Sequence, residues 1–352
     1  MKKISRFLIL FVLSGMLLGA SEPRFEPLPA PVSNNAVASL KFDGHLHIFS
    51  FMGIGTKKTW DAVTNAGYDL DTATGKWTQT ISVPGPVGRI AAAAAGLREH
   101  IFLFGGYVVD AQGGETTVPD VSAYRPLTGH WFRGADIPVP VDDFVIGAYD
   151  DRYVYLVSGW SKNDAVRNVQ VYDAKKDKWL QATPLPGTPV FGHAGALVDD
   201  TIVYVDGARR NPSGNNPRFV ASDECWMGKI DHHDPAKIEW TKLPSHPGAA
   251  RYRLAAGGSE RDKMVYFSGG TDNPYNFNGI GYNGQPSAPS PTTFALNLRT
   301  GKWETISEST PNPTMDHRGL IVLPQGLLIV GGMDKNQQVT SRVAVLPKGK
   351  AR

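Results

Sequence analysis

Two residue types march through this chain in step. Apolar runs end on glycine at Gly53, Gly106, Gly159, Gly207, Gly270 and Gly332, with gaps of 53, 53, 48, 63 and 62 residues. Tryptophans follow at Trp77, Trp131, Trp179, Trp240 and Trp303, with gaps of 54, 48, 61 and 63. Each unit reads as an apolar strand, a tight turn and a second apolar strand ending on glycine. A variable loop, a third strand, a short turn and a strand carrying tryptophan follow. Such a unit cannot bury its own apolar face, so neighbouring units must stack. Six glycine ends and five tryptophans make six units, the last one incomplete.

The turns support the strands. "FDGH" (Phe42 to His45) sets Asp-Gly between two alternating runs, a hairpin signal. "TATGKW", "PLTGHW" and "LRTGKW" form a second hairpin before a tryptophan, and prolines mark the junctions between units. Glycine (38) and proline (26) are abundant without collagen-like periodicity, which fits many short elements joined by turns. A period of about 50 residues with four strands and a double glycine resembles the kelch repeat of β-propellers. The resemblance implies an all-β, six-bladed kelch propeller spanning residues 21–352 as one domain. "SRVAVLP" (Ser341 to Pro347) supplies a third strand to the last unit. "RFEPLPAPV" (Arg24 to Val32) mimics a unit's end, with Phe25 in place of tryptophan. The N-terminal strand is therefore expected to pair with the last blade, closing the ring and hiding its edges.

Residues 1–20 read differently. "MKKISR" is basic, "FLILFVLSGMLLG" is apolar but shorter than a span of about 20 residues, and Ala20 is a small residue at a cleavage position. This is the pattern of a signal peptide, and it predicts a periplasmic or secreted protein with no membrane span after cleavage. Without Lys2, Lys3 and Arg6 the chain carries 33 basic and 33 acidic side chains, which argues against a nucleic-acid partner. The single cysteine, Cys225, can form no intrachain disulfide and is expected to be a small buried residue.

In a propeller, the segments leading into the innermost strands gather around the axis on one face, together with the loops between second and third strands. The segments read "SNNAV", "VGRIA", "VDDFV", "FGHAG", "RYRLA" and "DHRGL". They place Arg89, Asp142, Asp143, His193, Arg251, Arg253, His317 and Arg318 near the axis. Arg251 and Arg253, two apart on a strand, are expected to share a side. The loops of the fourth and fifth units are long: Ala208 to Asp223, with Arg209, Arg210 and Arg218, and Thr271 to Pro291, with "TDNPYNFNGIGYNGQ". Asparagine, glycine and tyrosine in the latter, Tyr275 and Asn276 among them, suit hydrogen bonding and stacking on a sugar. "HLH" (His45 to His47) puts two histidines on one strand face with no third ligand evident, so no metal is expected. "DHHD" (Asp231 to Asp234) is expected to cap a turn on the opposite face.

Two families of exported kelch enzymes bear on function. Copper galactose oxidases need a tyrosine–cysteine cofactor with tyrosine and histidine ligands; Cys225 sits in a third strand and no matching set is visible, so no cofactor is expected. The chain more closely resembles bacterial periplasmic N-acetylneuraminate mutarotases, or epimerases. "IEWTKLP", a Gly-Gly strand, a long Asn/Tyr/Gly loop, "LRTGKW" and "LLIVGG" carry the likeness. The resemblance implies a small-molecule sugar or glycan as partner and the opening and reclosing of a hemiketal ring. That chemistry takes a base, an acid and a cation for the sugar carboxylate. In that family a catalytic glutamate follows the glycine ending the fourth unit's second strand; here that position is Ala208. On this reading Asp142, Asp143, His193 or His317 supply acid and base, and Arg89, Arg209, Arg210, Arg218, Arg251, Arg253 and Arg318 supply cations, with Tyr275 and Asn276 contacting the sugar. The alternative is a propeller that binds a glycan or a protein without turnover.

Overall fold

The computed structural model describes residues 25–85 and 87–349. The segment read as a signal peptide lies outside them. Among the described residues the chain forms six antiparallel blades around an axis. Blade 1 runs Ala36–Phe42, His45–Phe51, Gly67–Asp71 and Lys76–Gln79, from the axis outward. Blade 2 follows with Ala93–Leu97, His100–Phe104, Val121–Arg125 and His130–Gly134, and blade 3 with Val145–Tyr149, Tyr153–Val157, Val169–Asp173 and Lys178–Ala182. Blade 4 has Ala194–Val198, Thr201–Val205, Cys225–Ile230 and Ile238–Leu243, and blade 5 has Ala255–Ser259, Met264–Ser268, Thr293–Asn297 and Lys302–Ser307. Blade 6 has three strands, Ile321–Val322, Leu327–Val330 and Val343–Leu346. No described helix is long and apolar enough to cross a membrane.

The repeated residues have separate jobs. Each tryptophan indole donates to a carbonyl in the chain leaving the previous blade: Trp131 to Ile81, Trp179 to Ala135, Trp240 to Thr183 and Trp303 to Pro244, at 2.8 to 3.3 Å. Trp77 donates to Glu26 at 2.9 Å, so the N-terminal segment stands where a sixth outer strand would end. Leu28 donates to the Ser341 carbonyl at 2.8 Å, and Phe25, Leu28 and Val32 pack with Leu328 and Val343. The N-terminus therefore closes the ring as expected, through this pairing rather than a regular strand among the described residues.

The glycines answer a backbone demand. All six unit-ending glycines lie at positive φ, from +69° to +104°. A Cβ on Gly53 (φ +103°) would sit 2.5 Å from the Ser33 carbonyl oxygen. Gly53→Ala is expected to cost at least about 1–3 kcal/mol, because both conformation and space forbid the methyl group. Urea unfolding followed by circular dichroism checks this; a midpoint equal to wild type contradicts it.

A second repeated position sits two residues before the inner strands of blades 1 to 5, and five before that of blade 6. Asn34, Ala91, Asp143, Gly192, Arg253 and Asp316 all adopt left-handed backbone, φ +51° to +72°. Backbone groups link neighbouring blades here: Asp143 N–H to Ala91, Gly192 N–H to Asp143, Arg253 N–H to Gly192, and Asn34 N–H to Asp316. The Ala91 N–H donates to the Asn34 side chain, and His317 N–H donates to Arg253. These six bonds form a belt around the axis. Asparagine, aspartate and glycine tolerate such a conformation best; Ala91 and Arg253 adopt it as well.

Candidate functional site

The belt divides the polar residues near the axis into two sets, because a left-handed residue turns successive side chains to different sides. Above it, on the face of the second-to-third strand loops, lies a cavity of about 160 Å³. It opens into a second chamber of about 470 Å³, sharing Tyr107, Glu115, Asp142 and Trp160 with it. Below it, the inner strands enclose an axial channel of about 370 Å³, headed by His193, His317 and Arg318.

Three small ribbons build the cavity walls: Tyr107–Val109 with Glu115–Thr117, Trp160–Ser161 with Asp164–Ala165, and Ala208–Arg210 with Phe219–Ala221. They are the loops of blades 2, 3 and 4. The long loop of blade 5 forms the remaining wall by reaching across the axis. Asn276 donates to the Glu115 carboxylate of blade 2 at 2.6 Å, and Lys58 of blade 1 donates to the Asn278 carbonyl at 2.9 Å. Trp160, Phe219 and Tyr282 make a contiguous aromatic wall, with centroids 5.5 and 4.9 Å apart. Arg218 lines the cavity with its guanidinium 5.0 Å from the Phe219 ring.

The floor is a buried ion network. Arg253 makes a two-point contact with Asp143, Nε to Oδ1 at 3.2 Å and Nη2 to Oδ2 at 2.6 Å. Its Nη1 donates to Asp316 at 2.8 Å and to the Asn276 carbonyl. The guanidinium also lies over Tyr252 and Tyr275, at 4.9 and 5.4 Å. Asp143 takes a further bond from Arg318 at 2.5 Å. Burial alone would raise the Asp143 pKa, but the charges of Arg253 and Arg318 outweigh it and hold the carboxylate below its ordinary range.

Asp142, the preceding residue, behaves oppositely. Burial, and then the neighbouring Asp143 charge, push its carboxyl well above the usual carboxylate range. Thr117 is hydrogen-bonded to it at 2.6 Å. Glu115, on the same wall, is also raised, chiefly by burial, with the Asn276 bond opposing. Part of Glu115 is in contact with solvent, so its carboxylate keeps a path to water. The cavity thus presents two carboxyl groups with elevated pKa, an aromatic wall, an amide and a cation.

The structure places the sequence-predicted residues unevenly. Asp142, Arg218 and Asn276 line the cavity together. Asp143 and Arg253 form its floor, but their polar atoms are spent on each other, so Asp143 is not free for proton transfer. His193 and His317 lie below the belt. The His193 Nε2 meets the Val157 carbonyl at 3.0 Å and the His317 Nε2 meets the Thr314 hydroxyl at 2.9 Å. Burial pushes both imidazoles down to about 3, so neither serves as an acid at neutral pH. Arg318 faces the channel. Arg89 is buried, donating to the Gly105 and Asp120 carbonyls at 3.0 and 3.2 Å. Arg210 pairs with Asp164 at 2.5 Å and ties two ribbons together; Arg209 does not line the cavity. Tyr275, within the blade 5 loop, is fully buried.

Strand alternation does not apply to Arg251 and Arg253, because both precede the strand Ala255–Ser259 and Arg253 is left-handed. Arg253 is buried in the ion network, whereas Arg251 is half-buried and its backbone N–H donates to Asp206 at 2.8 Å. Asp206, which interrupts the double-glycine habit, also accepts from His246 at 2.7 Å and is a structural residue. The Asp231 carboxylate accepts from the His233 N–H at 2.8 Å, in the expected turn cap. Cys225 is buried, its thiol pushed up to about 12 by burial. His45 and His47 do have a third potential ligand, Asp71, contrary to the sequence reading.

Sequence reasoning missed Glu115, Trp160, Phe219 and Tyr282. A signal existed for Glu115: "YVVDAQGGETTVPD" is a fourteen-residue loop of the same class as those of blades 4 and 5, and it carries an acid.

No protein-family model matches the chain. It is similar to Kelch-like protein 15 of Mus musculus, 25% identical over 243 residues, covering 68% of this chain and 38% of the relative. It is also similar to Kelch-like protein terF of Aspergillus terreus, 26% identical over 224 residues, covering 62% of this chain and 44% of the relative. The matched region is less than half the length of these curated relatives. Among solved structures, that of YjhT aligns with a TM-score of 0.72 at 18% identity, over 93% of this chain and 98% of that one. The likeness extends over nearly all of both chains and agrees with a six-bladed kelch propeller.

Proposed function

We propose that this chain is an exported, carbohydrate-handling kelch propeller of the mutarotase type, acting on an acidic sugar such as N-acetylneuraminate. The observation that carries the reading is the pair of elevated carboxyls, Asp142 and Glu115, beside an aromatic wall and Arg218 in one cavity. Ring opening takes a proton from the anomeric hydroxyl and delivers one to the ring oxygen; reclosure reverses both transfers. Asp142, whose burial favours the protonated form, suits the acid; Glu115, with its path to water, suits the base. Trp160, Phe219 or Tyr282 offers an apolar face to the sugar ring, and Arg218 a cation to its carboxylate. This assignment replaces the acid that Ala208 lacks, from a different blade. Export rests on the basic and apolar pattern of residues 1–20; a mature protein that still begins at Met1 would count against it.

The direct test follows anomer exchange of freshly dissolved N-acetylneuraminate by NMR, and no acceleration over buffer removes the proposed activity. Arg218→Ala is expected to weaken binding of the acidic sugar about 10- to 100-fold, the worth of a charged hydrogen bond, and to leave a neutral analogue unaffected. Equal losses for both sugars in calorimetry would remove Arg218 as the carboxylate partner.

A second reading, binding of a glycan or protein without turnover, is favoured by Ala208. That residue is fully buried and packs with Phe191 and Phe219 behind the aromatic wall. Saturable binding with no exchange would support this reading.

A further inference from the structure

The face opposite the cavity carries a second cluster of chemistry-bearing groups. In blade 1, His45 and His47 project from one side of the second strand, and Asp71 lies directly across from His47 in the third. His45, His47 and Asp71 each bring one potential ligand atom, and these atoms lie within 4.8 Å of one another. The His45 Nδ1 is already 3.5 Å from the Asp71 carboxylate. Two ligands on one tetrahedral zinc ion, with bonds of about 2.0–2.2 Å, stand about 3.3 Å apart. Closing the set to that spacing takes a movement of at most about 1.5 Å, within reach of His45, whose side chain is 51% exposed.

The surroundings hold the other two ligands in place. Phe42 stacks on the His47 ring at a centroid distance of 3.9 Å. The Asp69 carboxylate, on the same face, accepts from the His47 Nδ1–H at 2.8 Å. A carboxylate bonded to a ligand histidine is the outer-shell contact that orients metal-binding imidazoles. The Ala73 N–H donates to Asp71 at 2.8 Å and fixes that side chain. Two neutral imidazoles and one carboxylate favour a divalent first-row ion over magnesium or calcium, which require mostly oxygen ligands.

We propose that His45, His47 and Asp71 form a binding site for a divalent transition-metal ion of the zinc class, with Asp69 as the positioning residue and water completing the tetrahedron. The ion cross-links the second and third strands of blade 1, the blade whose Trp77 makes the ring-closing contact with Glu26. The site is on the opposite face from the sugar cavity and independent of it.

The test titrates the untagged full-length protein with Zn²⁺ by calorimetry and follows thermal unfolding with and without the ion. One ion per chain is expected, with a rise in Tm of about 2–5 °C at saturation. His45→Ala and Asp71→Asn, both at the strand ends and away from the core, are each expected to lower affinity at least about 10-fold and to abolish the Tm rise. Their unfolding without zinc should match wild type. Magnesium at equal concentration should not compete. Absence of saturable binding, or one ion bound with unchanged affinity in both variants, would overturn the proposal.

Discussion

Asp142→Asn is expected to stop turnover and, at the same time, to make the protein more stable at neutral pH. On the proposed reading Asp142 delivers a proton to the ring oxygen, and losing a positioned acid costs about 10²- to 10⁴-fold in rate. Glu115→Gln should lose activity within the same range, and NMR exchange rates measure both. The stability change has its own physical origin. In the unfolded chain Asp142 ionises near its ordinary value of about 3.9. In the folded chain burial holds its pKa well above that value, so between the two the native state binds more protons. Stability then falls as pH rises from about 3.9 through the folded pKa. Asparagine carries no such penalty. The variant should therefore have the higher Tm at pH 7, with the difference closing below about pH 3.9. A variant that is both inactive and less stable at pH 7 would mean that the Asp142 carboxyl is a structural anchor for Thr117 rather than a functional acid.

Arg253→Met is expected to give the largest loss of stability of any single change in the belt. The guanidinium satisfies Asp143 and Asp316 at once, and all three side chains are at most 2% exposed. Removing one partner of a buried pair costs about 3–5 kcal/mol, because the remaining charges stay buried without compensation. For a chain of this size that is a fall in Tm of about 4–7 °C. The pH dependence should change as well. The pKa of Asp143 is lowered in the folded state, so its contribution is present above about 3.9 and is lost as pH falls through the folded value. Without Arg253 that depression shrinks, and the acid-sensitive part of the stability curve shrinks with it. A loss below about 1 kcal/mol would show the network to be as weak as a solvated surface pair.

The fold was largely legible because its causes are local and repeated. A glycine stands where φ must be positive and a Cβ would strike backbone, and a tryptophan stands where an indole must reach the previous blade. Each cause recurs every 48 to 63 residues and leaves a periodic mark. The site was legible only in part. Asp142, Arg218 and Asn276 were named from their place in loops on one face. The sequence makes Asp143, His193 and His317 acid–base candidates on a par with Asp142, and Arg89 and Arg318 cations for a sugar carboxylate. Their consecutive or equivalent positions said nothing about which side of the belt each side chain would take.

That choice is made by the left-handed residue at the head of each inner strand. It sends Asp142 up into the cavity and Asp143 into the ion network. It likewise turns Asp316 toward Arg253 and leaves His317 in the channel. Glu115 and Asn276 are 161 residues apart, and no spacing rule links them; the blade 5 loop joins them only after the ring has closed. The amino-acid sequence by itself determined six units, five of four strands and a last one incomplete, with their turns and the face on which their loops converge, because short-range sterics and hydrogen bonding dictate these. Tertiary structure alone decided which charges are spent on one another and which face the cavity, because buried charges are paired by proximity across blades, and proximity across a closed ring is not a property of any segment.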